Sequence, residues 1–208
     1  MNSLVIFSFL AAFLLTRVTS LRTAVIILAF QSAVVASACV AIGFETGQLH
    51  MYLAALMTIV IKVGYIPYSL YQTVGRIRGE REDRPILGPN QSSLASALAI
   101  VLAYMLIDRA LPGIVTRDSL AASIALFLIG LLLIMTRRQA VMQIVGLITM
   151  ENGIYLLGLS VVQGLPLVIE LGVFLDILVA VIVLVLLTYR LRVSFLSTDT
   201  TQLRNLKG

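Results

Sequence analysis

Leu126-Phe-Leu-Ile-Gly-Leu-Leu-Leu-Ile-Met-Thr-Arg-Arg-Gln-Ala-Val-Met-Gln-Ile-Val-Gly-Leu-Ile-Thr-Met-Glu-Asn-Gly-Ile-Tyr-Leu156 is a pair of apolar runs separated by two adjacent arginines. Extended to their natural ends, the runs cover roughly residues 119 to 136 and 139 to 162. About 20 apolar residues in a helix span the roughly 30 Å hydrocarbon core of a bilayer. The strict alternation of a barrel strand is missing, and an open sheet would leave backbone groups unpaired in lipid, so the runs read as helices. The segment is a helical hairpin whose basic turn, Arg137 and Arg138, faces one side of a membrane. Its second helix is not plain lipid-facing material, because Glu151 and Asn152 sit near its middle.

The same pattern extends along the chain. Further runs lie at roughly 2 to 16, 21 to 43, 49 to 73, 92 to 111 and 166 to 189, which makes seven in all. The fold expected is an all-α polytopic membrane protein with seven transmembrane helices. The first run is short and N-terminal, but no basic residue precedes it and no small-residue cleavage pattern follows, so it counts as a helix rather than a signal peptide. Composition agrees: of 208 residues, 60% are apolar and 12% charged, against about 25% charged in soluble domains, and mean hydropathy is +1.04. A water-soluble globule, a disordered chain and a disulfide scaffold are excluded, the last because Cys39 is the only cysteine.

Of the fifteen basic residues, twelve fall on one side of a seven-helix plan: Arg17, Arg22, Arg76, Arg78, Arg81, Arg84, Arg137, Arg138, Arg190, Arg192, Arg204 and Lys207. Arg109 and Arg117 fall on the other, and Lys62 lies within a helix. Basic residues mark the cytoplasmic face, so the N-terminus is placed outside and the C-terminus in the cytoplasm. Scattered in this way, the charges mark topology, and a nucleic-acid partner is not expected. The division expected is an N-terminal three-helix segment (1–74), a cytoplasmic loop (75–91), a fourth helix with an outer loop (92–118), a three-helix unit (119–189) and a cytoplasmic tail (190–208).

An ionisable group at mid-bilayer costs roughly 2.5 to 3.5 kcal/mol on insertion scales, so each needs a partner, water or a task. Lys62, Glu151 and Asp176 lie near the middle of their runs, Glu170 nearer the outer end, and Gln31 at the centre of the second. Counted from the run ends, Gln31, Lys62, Glu151 and Asp176 share one depth, which makes a polar midplane. For Lys62 two readings stay open: half of a buried pair with Glu151 or Asp176 that fixes packing, or a relay station whose charge responds to a neighbouring acid. Asn152 and Gln143 are supporting polar groups on the helix of Glu151. Gly64 and Pro67 form a local bend beside Lys62, because Pro67 removes a helix hydrogen bond. Asp108 and Arg109 read as an interfacial pair. Gly146, Gly153 and Gly158 permit close helix approach, and Tyr65, Tyr68 and Tyr71 are interface anchors. His50 stands alone, so no metal site is expected, and no nucleophile with a base, phosphate loop or iron–sulfur pattern supports catalytic residues.

The quoted hairpin resembles the three-helix K subunit of bacterial respiratory complex I. Arg137-Arg138-Gln139 matches that family's Arg-Arg-Asn turn, Gly146-Leu147 its glycine pair, and Asn152 its asparagine. The family's glutamate position falls on Ile148, with Glu151 one turn further on, a shift of about 4.5 Å. Asp176 matches the family's second intramembrane glutamate. That shifted Met150-Glu151-Asn152 form, the following Glu170-to-Asp176 stretch and the extra helices before it look like component E of the hydrogenase-4 and formate hydrogenlyase family. The resemblance implies a multi-pass subunit of a bacterial or archaeal cytoplasmic (inner) membrane that binds no cofactor itself. It also implies antiporter-like membrane subunits and a peripheral hydrogenase arm as partners, with a NiFe centre and iron–sulfur clusters held in other subunits. Glu151, Asp176, Glu170 and Lys62 would then be stations of a proton or sodium relay coupled to redox chemistry. A structural scaffold without ion relay and a stand-alone carrier or channel are the alternatives.

Overall fold

The computed structural model describes residues 2–76, 81–82, 85–113 and 116–161, together with Gly172 and Val183. Its helices are α1 (Asn2–Arg17), α2 (Leu21–Thr46), α3 (Leu49–Thr58), α4 (Ile66–Arg76), α5 (Pro89–Ala110), α6 (Arg117–Thr136) and α7 (Ala140–Val161). A π-helical segment, Ile59–Tyr65, joins α3 to α4, so these three pieces form one rod. Among the described residues, five helices are long and apolar enough to cross a membrane: α2, the α3–π–α4 rod, α5, α6 and α7. With 16 residues, α1 is shorter. The seventh predicted run, 166 to 189, lies outside the described residues apart from Gly172 and Val183, which are buried.

Turn chemistry sets the ends. Gly47, at φ 67°, takes the left-handed conformation that closes α2, and its N–H donates to the Gly43 carbonyl at 2.9 Å; a side chain there would be strained. Pro89 occupies the start of α5, where a missing N–H costs nothing, and the Gly88 N–H donates to Gln91 Oε1 at 3.1 Å.

Two helices organise the bundle. α2 packs against α1, the α3–π–α4 rod and α7, while α6 packs against α1, α5 and, most extensively, α7. Small residues permit that last contact. A Cβ at Gly146 would stand 2.9 Å from the Gly130 carbonyl oxygen, and one at Gly153 would stand 2.6 Å from the Phe127 nitrogen. Lipid tails give apolar helices no reason to associate, so such close backbone packing supplies the attraction. The α5 helix is the least buried span, with Leu94, Leu98, Val101, Leu102 and Met105 exposed. Those side chains suit lipid or another membrane subunit. Tyr65, Tyr68 and Tyr71 are likewise exposed.

Candidate functional site

Lys62 lies inside the π-helical segment, where the Ile66 N–H reaches back five residues to the Ile61 carbonyl. Gly64 belongs to this segment and Pro67 follows one residue past its end. The feature these two residues signalled is therefore a π-to-α junction, a form that favours functional positions. Lys62 is 1% exposed and points across the bundle to α7. Its Nζ is 3.1 Å from Glu151 Oε1 and donates to Asn152 Oδ1 at 3.2 Å. The long lysine stem bridges two elements whose backbones are not extensively packed.

Asn152 connects this charged pair to α2. Its Nδ2 donates to Gln31 Oε1 and to Ser32 Oγ, each at 3.4 Å, and Thr149 Oγ1 lies 3.3 Å from Gln31 Oε1. Gln31 Nε2 in turn donates to the Ser8 carbonyl of α1 at 3.1 Å. Gln31 and Asn152 are fully buried and Glu151 nearly so. An amide has one donating and one accepting end. With the Asn152 NH2 committed to α2, its oxygen is turned toward the ammonium. Tyr155 closes the site: its ring centroid is 5.8 Å from Lys62 Nζ, its hydroxyl accepts from Cys39 Sγ at 3.5 Å, and Gly172 packs on the ring.

The structure thus brings together Lys62, Glu151, Asn152 and Gln31. Asp176 and Glu170 lie outside the described residues. Gln143 does not join the site. It is exposed near the start of α7, where its Nε2 donates to the Arg137 carbonyl at 2.9 Å. Eight residues, about 12 Å of helix, separate it from Glu151. Asp108 is held by Arg117, with Nη2 to Oδ2 at 2.7 Å, rather than by its neighbour Arg109. Asp108 near the end of α5 and Arg117 at the start of α6 meet across nine residues, whereas adjacent helical residues diverge. Ser8, Ser32 and Tyr155 were not anticipated. Tyr155 follows Glu151 by four positions and shares its helix face, a spacing that signals the contact.

The two arginines of the α6–α7 turn also separate. Arg138 is exposed, but Arg137 is 1% exposed, with Nη1 3.0 Å from Glu82 Oε2 and Nη2 donating to the carbonyls of Thr16 and Leu15 at 2.6 and 3.3 Å. Glu82 lies in the loop after α4. Its other oxygen accepts from the N–H groups of Arg138 and Gln139 at 2.7 and 3.1 Å. Among the described residues, no three of His, Cys, Asp and Glu come together in a way that could hold a metal ion.

The comparisons with known proteins agree with this architecture. The family model for NADH-ubiquinone/plastoquinone oxidoreductase chain 4L matches residues 118–208. An uncharacterized protein of Mycobacterium tuberculosis is 32% identical over 95% of this chain and 91% of its own length. Hydrogenase-4 component E of Escherichia coli K12 is 28% identical over 100% of this chain and 97% of its own length, and that of Shigella flexneri gives the same figures. No solved structure matches. Similar over its whole length to component E and matched over residues 118–208 by chain 4L, this multi-pass membrane protein is a homologue of hydrogenase-4 component E and belongs to one family with the Mycobacterium tuberculosis protein.

Proposed function

We propose that the chain is a membrane subunit of a complex I-related assembly of the energy-converting hydrogenase type, in which Lys62 and Glu151 relay protons or sodium ions. The observation that carries this reading is the buried Lys62–Glu151 pair, tied to α2 through Asn152 and Gln31. A proton arriving on Glu151 would leave the ammonium without this counter-ion, so Lys62 would pass charge on or draw a carboxylate from elsewhere. Charge at one station then depends on charge at the next. Asn152 and Gln31 do not titrate; Gln31 holds the Asn152 NH2 group, so that its oxygen faces Lys62. Asp176 and Glu170, within the 119–189 unit, are the proposed further stations, and Gly64 and Pro67 the proposed hinge. Similarity to hydrogenase-4 component E and to chain 4L supports a bacterial or archaeal inner-membrane location, antiporter-like neighbours and a peripheral hydrogenase arm, with NiFe and iron–sulfur centres in those other subunits.

A second reading is favoured by the same contacts. A buried ammonium with a carboxylate and an amide oxygen around it is also what a packing device requires. The Glu151→Gln complex separates the two. The relay reading expects normal assembly with strongly reduced ion movement per redox turnover; unchanged coupling in the assembled variant would refute it.

A further inference from the structure

The Glu82–Arg137 pair stands apart from the midplane; Arg137 belongs to the predicted basic turn, and Glu82 to no predicted site. It joins three chain segments at the cytoplasmic end of the bundle. Arg137 donates to the last carbonyls of α1, and Glu82 accepts from the two N–H groups that precede α7. The loop is held in the same place by its backbone. The Glu82 N–H donates to the Thr19 carbonyl and the Ile86 N–H to the Thr136 carbonyl, both at 2.9 Å. Both side chains of the pair are 1% exposed. Charge-assisted bonds of this kind, placed on free helix ends, are the stronger class of hydrogen bond and are geometrically specific.

The location of the clasp gives it a consequence. Glu82 follows, by six residues, the end of the rod that carries Lys62. Its carboxylate grips the residues from which the helix of Glu151 begins. One member of the midplane pair therefore sits on a rod that ends six residues before Glu82, and the other on a helix that starts beside the two residues its carboxylate holds. Glu151 lies eleven residues into α7, about 16 Å from that junction. The backbones of the π-helical segment and α7 make few direct contacts, so the axial register of Lys62 against Glu151 is set through other elements: α2, which packs on both, and the clasp at the end of the bundle.

We propose that Glu82, acting with Arg137, is a positioning residue for the Lys62–Glu151 pair, fixing the register of the two rods from the cytoplasmic side. The functional importance of this tie rests on the relay reading above; the geometry does not.

The test uses the full chain in bilayers, with 15N-labelled lysine side chains and 13C-labelled glutamate carboxyls, read by solid-state NMR dephasing. Lys62 and Lys207 are the only lysines, and Lys207 lies next to the C-terminus. The Glu151→Gln protein supplies the background. The wild type is expected to show Glu151-dependent dephasing of the lysine signal. Glu82→Ala should weaken it and speed amide exchange at Arg138 and Gln139 by about tenfold or more, the factor that a hydrogen bond to a charged group supplies. Glu82→Gln, which keeps an accepting oxygen, should fall between and serves if the alanine variant does not fold. The exchanged pair Glu82→Arg with Arg137→Glu should not recover the signal, because Arg cannot accept from amides and Glu cannot donate to carbonyls. Wild-type dephasing in Glu82→Ala and Glu82→Gln, or recovery in the exchanged pair, overturns the proposal. A merely stabilising role would leave the dephasing of folded protein unchanged. Loss of the register in Glu82→Ala with unaltered ion coupling would leave the positioning role standing and remove the relay; the reverse pattern would do the opposite.

Discussion

Replacing Lys62 with Met removes the ammonium 3.1 Å from Glu151 and takes the donor from Asn152 Oδ1. Breaking one side of a buried ion pair costs about 3 to 5 kcal/mol, and an acceptor stripped of its bond adds about 1 to 3 kcal/mol. Glu151→Leu should cost a similar 3 to 5 kcal/mol, roughly, by leaving the ammonium short of this carboxylate. Replacing both groups should not sum these losses. The double variant removes the loss that each single variant suffers from its abandoned partner and keeps that of the Asn152 acceptor, about 1 to 3 kcal/mol. The coupling between the two sites is thus expected to be at least about 3 kcal/mol, where unconnected sites add to within about 0.5 kcal/mol. Reversible unfolding in mixed micelles, followed by loss of helical circular dichroism, measures all four corners of the cycle. Additive losses would refute the pairing. The same double variant divides relay from scaffold: stability should return while ion coupling stays lost, and recovery of both would make the pair a packing device.

Further outcomes follow from the same geometry. Arg137→Ala should destabilise the chain by about 3 to 5 kcal/mol, since it abandons buried Glu82 and two helix-end carbonyls, while Arg138→Ala, on an exposed side chain, should stay within about 0.5 kcal/mol; unfolding of both variants checks this. Gly146→Leu should cost more than the roughly 1 to 3 kcal/mol usual for overpacking, because a Cβ alone would press on the Gly130 oxygen and the Ile134 nitrogen at 2.9 Å; the yield of folded protein and the unfolding midpoint report it. Gln31→Leu should cost about 1 to 3 kcal/mol by stripping bonds from Asn152 and Thr149, whereas Val101→Leu on the exposed face of α5 should be near neutral in the same assay. Because the single cysteine, Cys39, is buried, a cysteine placed at Arg138 should react with an impermeant thiol reagent only from the cytoplasmic side, and one at Arg117 only from the other; the opposite pattern would reverse the orientation.

Much of this architecture can be read before any coordinates, because membrane helices must be long and apolar. The run at 119 to 136 emerges as Arg117–Thr136 and the run at 139 to 162 as Ala140–Val161. Depth counting works for the same reason. A helix rises by a fixed amount per residue, so Gln31, Lys62 and Glu151, each counted from its own run ends, meet in space. What counting cannot supply is azimuth and loop geometry. Gln143 shares a helix with Glu151 but sits at its end, where it serves the turn. Arg137 and Arg138 read alike as topology signals, and only the loop folding back from Glu82 decides which one is buried. Glu82 itself is surrounded in sequence by other charges, Arg81, Asp83 and Arg84, which hid its burial behind the pattern of a solvated connector. The π-helical turn at Lys62 left a partial trace in Gly64 and Pro67, but those residues mark a disturbed helix without specifying its form.

An ion relay through this chain requires Glu151 to change its protonation during turnover. Redox-triggered infrared difference spectroscopy on the assembled complex tests this directly. A carboxyl band that grows and decays with turnover, and is missing from the Glu151→Gln complex, is the expected result. A turnover spectrum identical in the two complexes would contradict the relay and leave the midplane pair as a means of packing helices.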